Sequence, residues 1–290
     1  MSIEQEHNEG SPERIKVLIY HRVSNDEQLC TVQPLMCVRS AAFRQQLELL
    51  ERRGFTPITF RDYQLFLAGK LNLPRKPIIL TFDDGYRDVY EYAYPLLKEF
   101  GMTAVVFAMG DQHVASNTWD AQLGLQEAPL LDAGQLLELH EAGFEIGSHA
   151  LSHRALPSLT KEEAWDEISR SRMLLEILLN APVQSFAYPY GLADDGIKKM
   201  VAEAGYTTGC GVYSGPGTFG VDQYDLRRIL IPGSISAAGF GLRVLAPYQH
   251  YASLKWNIKT LLGLTHLTIH SSQTGSPYAQ LGRSVTGKHS

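Results

Sequence analysis

Two adjacent carboxylates, Asp83 and Asp84, come directly after an apolar run in the stretch TFDDGY at residues 81–86. Two imidazoles, His149 and His153, follow a second apolar run at a spacing that lets both reach one metal ion. Two histidines and one aspartate form an open metal site that leaves positions for water and substrate. The histidine pair alone is weak evidence, and a carboxylate at a neighbouring strand end strengthens it.

The second carboxylate of the pair needs a different task. Side chains alternate in direction along an extended chain, so Asp83 and Asp84 are expected to face different partners. If one binds a metal, the other can accept a proton from the attacking water as a general base. His270 follows the apolar run LTI and can supply the acid for the leaving group. This set predicts metal-assisted hydrolysis of an acyl bond.

Strand-like and helix-like patterns alternate along the chain and must position these residues. The predicted strands are 15–21, 76–82, 103–110, 144–149, 183–189, 206–212 and 266–271. The predicted helices are 40–55, 88–101 (bent at Pro95), 132–143, 159–179, 194–205 and 251–263. This alternation favours parallel strands with helices outside. We expect an α/β fold, a distorted TIM-like (β/α) barrel of about seven parallel strands with catalytic residues at their carboxyl ends.

Composition and charge narrow the function classes. The 290 residues are 44% hydrophobic and 20% charged, as in ordinary globular proteins. A net charge of −5 without a dense basic block argues against nucleic acid as a partner. No apolar run approaches the roughly 18 residues of a membrane span. Cys30, Cys37 and Cys210 are too few for a disulfide framework and are interpreted as structural or incidental.

The predicted domain organisation has three parts. Residues 1–14 are polar and expected to be disordered, residues 15–271 should form one barrel domain, and residues 272–290 should be loosely ordered. The first segment lacks the basic-then-apolar layout of a secretory signal, so the sequence as written predicts a cytoplasmic protein. Export stays open if a signal was removed, and no oligomeric state is predicted.

Four segments in order resemble the polysaccharide deacetylase family, the NodB-homology enzymes of carbohydrate esterase family 4. They are TFDDG (81–85), HALSH (149–153), YPYG (188–191) and LTIH (267–270). The stretch FAYPYG with YHRV at 20–23 is similar to the branch that includes poly-β-1,6-N-acetylglucosamine deacetylases. The resemblance implies a metal-dependent hydrolase that removes acetyl groups from N-acetylated amino-sugar units of a poly- or oligosaccharide.

The resemblance also implies a role for each matching position. It implies a catalytic base at Asp83, metal ligands at Asp84, His149 and His153, a catalytic acid at His270, and an oxyanion donor in the backbone N–H of Tyr190 after Pro189. The metal is expected to be zinc, with cobalt or nickel as alternatives, because ligand type alone does not choose among them. Pro189, Tyr190 and Trp119 are the candidate substrate contacts. Trp119 could stack on a sugar ring or pack beneath its loop.

The sequence departs from the family pattern beside the catalytic base. Ala187 stands where many members carry an arginine that orients the catalytic aspartate. Arg228 could supply the guanidinium from another strand, with Arg227 or a surface role as the alternative. Thr268 replaces an apolar residue two positions before the acid. His21 could line the site or be a histidine at the edge of the core.

Other functions remain open at this stage. The same residues could remove O-acetyl groups from a polysaccharide or hydrolyse small cyclic amides. The missing arginine keeps open a catalytically weak carbohydrate-binding relative. An iron oxygenase uses the same ligand count, but it needs neither a second aspartate nor an acid histidine.

Overall fold

The computed structural model describes residues 15–123, 126–212 and 222–245. The predicted helix 251–263 and the predicted strand 266–271, with Thr268 and His270, lie outside these residues. Both predicted terminal segments, 1–14 and 272–290, also lie outside them. The fold can therefore be compared with the sequence from the first predicted strand up to residue 245.

A curled sheet of parallel strands forms the centre of the fold. The strands of the described residues are β1 (Lys16–Tyr20), β2 (Arg22–Ser24), β3 (Cys37–Arg39), β4 (Thr56–Pro57), β5 (Pro77–Phe82), β6 (Val105–Ala108), β7 (Glu145–Ser148), β8 (Ser185–Ala187), β9 (Thr208–Cys210) and β10 (Ile229–Leu230). The main sheet has the order β10-β1-β5-β6-β7-β8-β9, and β4 pairs with the start of β5. Strands β2 and β3 form a separate parallel pair.

One short segment links the two edges of this sheet. Leu226 forms a parallel bridge with Cys210 at the end of β9, and three residues later β10 pairs with β1 through Leu18 and Ile229. Residues 226–230 thus bridge β9 at one edge of the sheet and form the strand β10 at the other edge. The prediction of a distorted TIM-like barrel with parallel strands is confirmed.

Helices follow the strands and cover the sheet. They are α1 (Glu27–Val32), α2 (Ser40–Arg52), α3 (Phe60–Leu67), α4 (Tyr94–Glu99), α5 (Ala133–Glu141), α6 (Lys161–Leu179), α7 (Asp195–Glu203) and α8 (Ala237–Leu245). The capping box that the sequence predicts for α6 is present, with Thr160 and Glu163 each bonding the other's backbone N–H. None of the described helices combines the length and apolar character needed to cross a membrane.

The predicted helix at 88–101 is present and has an irregular turn beside its proline. Val89–Ala93 forms a π-helical turn that runs directly into α4 at Tyr94, and both Ala93 and Tyr94 have right-handed helical backbone angles. Pro95 follows this turn, and a proline and a π-helical turn are both common causes of irregularity in a helix. The irregularity therefore lies where the sequence predicts it.

Side-chain alternation along the strands separates two apolar layers. Leu18, Leu80 and Phe82 belong to the large core cluster that includes the apolar faces of the helices. Val17 and Ile79 belong to a second cluster with interior residues of other strands, among them Phe107, Ala187, Cys210 and Leu226. Continued past Ile79 and Thr81, the same alternation predicts that Asp83 faces the barrel interior.

The cysteines differ from the expectation drawn from their number. Cys30 and Cys37 form a disulfide that joins α1 to β3, a pairing that the sequence did not indicate. Cys210 is free and buried in the barrel interior. The disulfide closes a chain segment that contains Met36, which lines the cavity described next.

Candidate active site

A cavity lies at the carboxyl ends of the sheet strands. The empty space that its walls border, open mouth included, is about 360 Å³. Several strand ends contribute to its wall: His21 after β1, Asp83 and Asp84 after β5, His149 and His153 after β7, and Tyr190 after β8. The prediction that functional side chains gather at one end of a barrel thus agrees with their positions.

Asp84, His149 and His153 form a group that could hold a metal ion. One ligand atom from each lies within 4.8 Å of the others, and all three residues are buried. Nε2 of His149 lies 3.1 Å from Oδ1 of Asp84, and Nε2 of His153 lies 3.2 Å from the same oxygen. Nδ1 of His149 lies 2.8 Å from the carbonyl oxygen of Ala187, to which it donates in the tautomer that frees Nε2. These donors fit a divalent transition metal.

Unusual backbone conformations concentrate around this group. Asp84, Ala150, His153 and Tyr190 have positive φ angles of 68°, 64°, 64° and 58°. Each such conformation costs on the order of 1–3 kcal/mol for a residue with a side chain, and persists only where the surroundings fix it. The remaining described example, Asn180, ends α6 in a left-handed cap. The surrounding structure therefore holds the backbone of the site in conformations that these residues rarely adopt.

The structure places Arg228 directly on Asp83. Nη1 of Arg228 donates to Oδ1 and Nη2 to Oδ2 of Asp83, each at 2.6 Å. The same guanidinium donates to the hydroxyl of Thr81 at 3.0 Å and to the carbonyl of Gly211 at 2.9 Å. Arg228 is only 1% exposed. The neighbouring Arg227 pairs with Asp225 instead.

The two adjacent aspartates are both held in the charged form. Burial alone would raise the pKa of Asp83, but the Arg228 guanidinium outweighs it and lowers that pKa. Burial also opposes ionisation of Asp84, and hydrogen bonds from His149 and His153 hold its pKa well below the usual range. The carboxylates thus have separate partners, as side-chain alternation predicts.

The two histidines differ in their surroundings. Burial would lower the pKa of His149, but its hydrogen bond to Asp84 and the nearby charge of Asp83 raise it. Burial prevails at His153 and lowers its pKa, which favours the neutral imidazole that can donate a lone pair. Nδ1 of His153 is buried and has no hydrogen-bond partner within the described part of the chain.

The ring of His153 is positioned by contacts with two aromatic rings instead of by a hydrogen bond at Nδ1. The ring of Trp119 stacks on it with centroids 4.3 Å apart and an interplanar angle of 22°. The ring of Tyr190 meets it at 4.6 Å and 68°. Trp119 lies in a 3₁₀ helix, Thr118–Leu123, and is partly exposed at the cavity wall. One face of the indole is therefore occupied by His153, and its predicted contact with a sugar ring remains a prediction.

Several site residues were missed or underrated by the sequence. His21 lines the cavity and is 4% exposed. It is close enough to both Asp83 and Asp84 to help lower the pKa of each carboxyl. Its position directly after a predicted strand was the available signal. Asp120 also lines the cavity, although no pattern in the sequence marked it. Pro189 is buried at the start of the turn that carries Tyr190, and its substrate contact stays a prediction.

Comparison with known proteins supports the resemblance. Residues 70–209 match the sequence model of the family described as Polysaccharide deacetylase. The chain is 28% identical over 232 residues to a Bacillus subtilis protein named "Putative polysaccharide deacetylase YxkH", covering 79% of this chain and 76% of that protein. It is 25% identical over 232 residues to the poly-beta-1,6-N-acetyl-D-glucosamine N-deacetylase of Staphylococcus epidermidis, covering 74% of this chain and 78% of that protein.

A solved structure shows the same fold. The Streptococcus pyogenes deacetylase PplD, determined in complex with acetate, matches with a TM-score of 0.70 and 24% identity. The match covers 82% of this chain and 100% of that chain.

Proposed function

We propose that this protein, whose residues 70–209 match the polysaccharide deacetylase family model, is a metal-dependent hydrolase that removes acetyl groups from N-acetylated amino-sugar units of a poly- or oligosaccharide. The observation that carries the proposal is the juxtaposition of a buried Asp-His-His group with a second aspartate held by a buried arginine. The curated N-deacetylase of Staphylococcus epidermidis supports the amino-sugar substrate.

Asp84, His149 and His153 would hold the metal in this proposal, with zinc expected and cobalt or nickel as alternatives. A bound metal would polarise the acetyl carbonyl and lower the pKa of water. The bond from His149 to Ala187 and the stacking on His153 keep both imidazoles oriented. Burial of all three ligands limits competition from bulk water.

Asp83 is the proposed general base. Arg228 fixes both of its oxygens, so the carboxylate is ionised and cannot rotate away from the cavity. Each oxygen keeps a further lone pair with which it can accept the proton of the attacking water. The backbone N–H of Tyr190 is the proposed donor to the oxygen that becomes negatively charged in the tetrahedral intermediate.

The leaving amine needs a proton, and two histidines are candidates. The sequence resemblance implies His270, which lies outside the described residues. The described geometry favours His21, because it lines the same cavity as Asp83. We expect His21→Gln to lower kcat by about 10²- to 10⁴-fold, the usual contribution of a general acid, with metal content unchanged. A loss of this size in His270→Gln, with His21→Gln fully active, would instead support the sequence-based assignment.

The proposed function is tested by metal analysis of the purified protein followed by acetate release from N-acetylglucosamine oligomers. Asp83→Asn should retain the metal and lose acetate release, whereas His149→Ala should lose both. Acetylated xylan in parallel tests the second candidate, an O-acetyl esterase that would use the same residues. Full activity of Asp83→Asn, or acetate from O-esters alone, would contradict the proposal.

A further inference from the structure

Asp120 is a buried carboxylate in the cavity wall that the proposed mechanism does not use. It is 6% exposed and lines the cavity together with Asp84 and His153. It follows Trp119, whose ring stacks on His153. It does not belong to the Asp-His-His group whose ligand atoms lie within 4.8 Å of one another. Asp120 therefore lies beside the proposed metal ligands without being one of them.

One oxygen of Asp120 is fixed by two donors. Oδ2 accepts hydrogen bonds from the hydroxyl of Tyr86 and from the side-chain amide of Asn117, both at 3.1 Å. The Asn117 side-chain oxygen accepts the backbone N–H of Ala128 at 2.6 Å. The guanidinium of Arg22 lies 4.7 Å over the centre of the Tyr86 ring. These contacts give the carboxylate one orientation, so its other oxygen has a fixed position.

That other oxygen, Oδ1, has no hydrogen-bond partner among the described residues, and the protein does not enclose it. A carboxylate oxygen can only accept, so it needs a donor from a bound molecule or from water. Sugar hydroxyls are such donors.

We propose that Oδ1 of Asp120 accepts a hydrogen bond from the hydroxyl next to the acetamido group of the bound sugar, and so selects amino sugars in which that hydroxyl is free. This inference rests on the proposed function. A unit whose neighbouring hydroxyl carries an acidic ether, as in N-acetylmuramic acid, has no donor there. It also brings a second negative charge toward Asp120, so it is disfavoured on both grounds.

The test compares two substrates and two carboxylate variants. The substrates are the trimer of N-acetylglucosamine and the same trimer with the neighbouring hydroxyls methylated. Asp120→Ala should raise KM for the unmethylated trimer about 10- to 100-fold, the usual range for a lost hydrogen bond to a charged group. In the wild type, methylation should raise KM by a similar factor, and Asp120→Ala should add no further loss. Glu127→Gln removes an exposed carboxylate bonded to Ser116 in the same loop and is the matched control, expected to leave KM unchanged.

Each remaining outcome overturns a different statement. Equal KM values for the two trimers in the wild type, or an unchanged KM in Asp120→Ala, would overturn the role of Asp120 alone. Loss of metal in Asp120→Ala, or an equal loss of kcat with both trimers, would assign Asp120 a structural role instead. Absence of acetate release by the wild-type protein from every oligomer would overturn the proposed function itself.

Discussion

The contact between Arg228 and Asp83 gives the most direct prediction about the proposed mechanism. Arg228→Lys keeps a positive charge, but an ammonium group cannot bond both carboxylate oxygens in the planar geometry of a guanidinium. The variant should lose at least one of the two 2.6 Å bonds. A hydrogen bond to a charged group contributes about 1.5–3 kcal/mol. If that loss appears in the positioning of the base, kcat should fall about 10- to 150-fold.

The lysine variant is preferable to one that removes the charge. Arg228→Met would leave Asp83 buried beside no counter-charge, and such broken pairs typically cost about 3–5 kcal/mol of folding stability. A folding defect would then be mixed with the catalytic effect. The assay is steady-state acetate release from the N-acetylglucosamine trimer, with metal content and the melting temperature measured on the same samples. We expect KM and metal content to change little in Arg228→Lys.

A double-mutant cycle provides the control. In the Asp83→Asn background, Arg228→Lys should cause little additional loss of kcat, because the group that it orients no longer acts as a base. Two results would refute the reasoning: retention of kcat within about twofold in Arg228→Lys with metal bound, or full additivity of the two substitutions.

Two further predictions concern the support of the site and its pH dependence. Trp119→Ala removes the ring that stacks on His153 and should raise the dissociation constant for Zn²⁺ about tenfold, as loss of an outer contact to a metal ligand does. Trp119→Phe keeps a ring and should retain most of the affinity. Equal Zn²⁺ affinities of the wild type and Trp119→Ala, measured by calorimetry, would contradict this role. Burial raises the pKa of Asp88 from 3.8 to about 6 despite its 2.6 Å pair with Arg22. The folded protein therefore binds more protons than the unfolded chain between these values, so this group makes the free energy of unfolding fall as pH rises, by about 3 kcal/mol. Asp88→Asn should remove this contribution to the pH dependence of the free energy of unfolding, measured by chemical denaturation at pH 4–7. If the wild type and Asp88→Asn lose stability in parallel as pH rises, Asp88 does not cause the dependence.

The fold and the candidate metal ligands could be predicted because their signals are local. The strand β5 is a fully buried run that ends at the two aspartates, and β7 ends at the first histidine. Parallel strands bring such ends to one edge, so positions distant in sequence meet without any further information. The capping box at Thr160 likewise depends on four consecutive residues.

The partners of these residues could not be predicted with the same certainty. Arg228 contacts Asp83 across 145 positions in sequence, from a segment whose strand has only two residues. Such a short strand has no clear periodic pattern. Asp120 lies in a 3₁₀ helix, and its role depends on contacts with Tyr86 and Asn117 rather than on any motif. The Cys30–Cys37 disulfide joins two short elements whose proximity only the folded chain reveals.

The arginine also explains how two identical neighbours can have different tasks. Asp83 and Asp84 are both carboxylates in the wall of the same cavity, so both could compete for one metal ion. Arg228 occupies both oxygens of Asp83 and leaves Asp84 as the carboxylate that the two Nε2 atoms approach. In the proposed mechanism, Arg228 thus reinforces the division between ligand and base that side-chain alternation within the aspartate pair begins. Ala187 cannot provide a guanidinium, and Arg228 in the linking segment 226–230 contacts Asp83 instead.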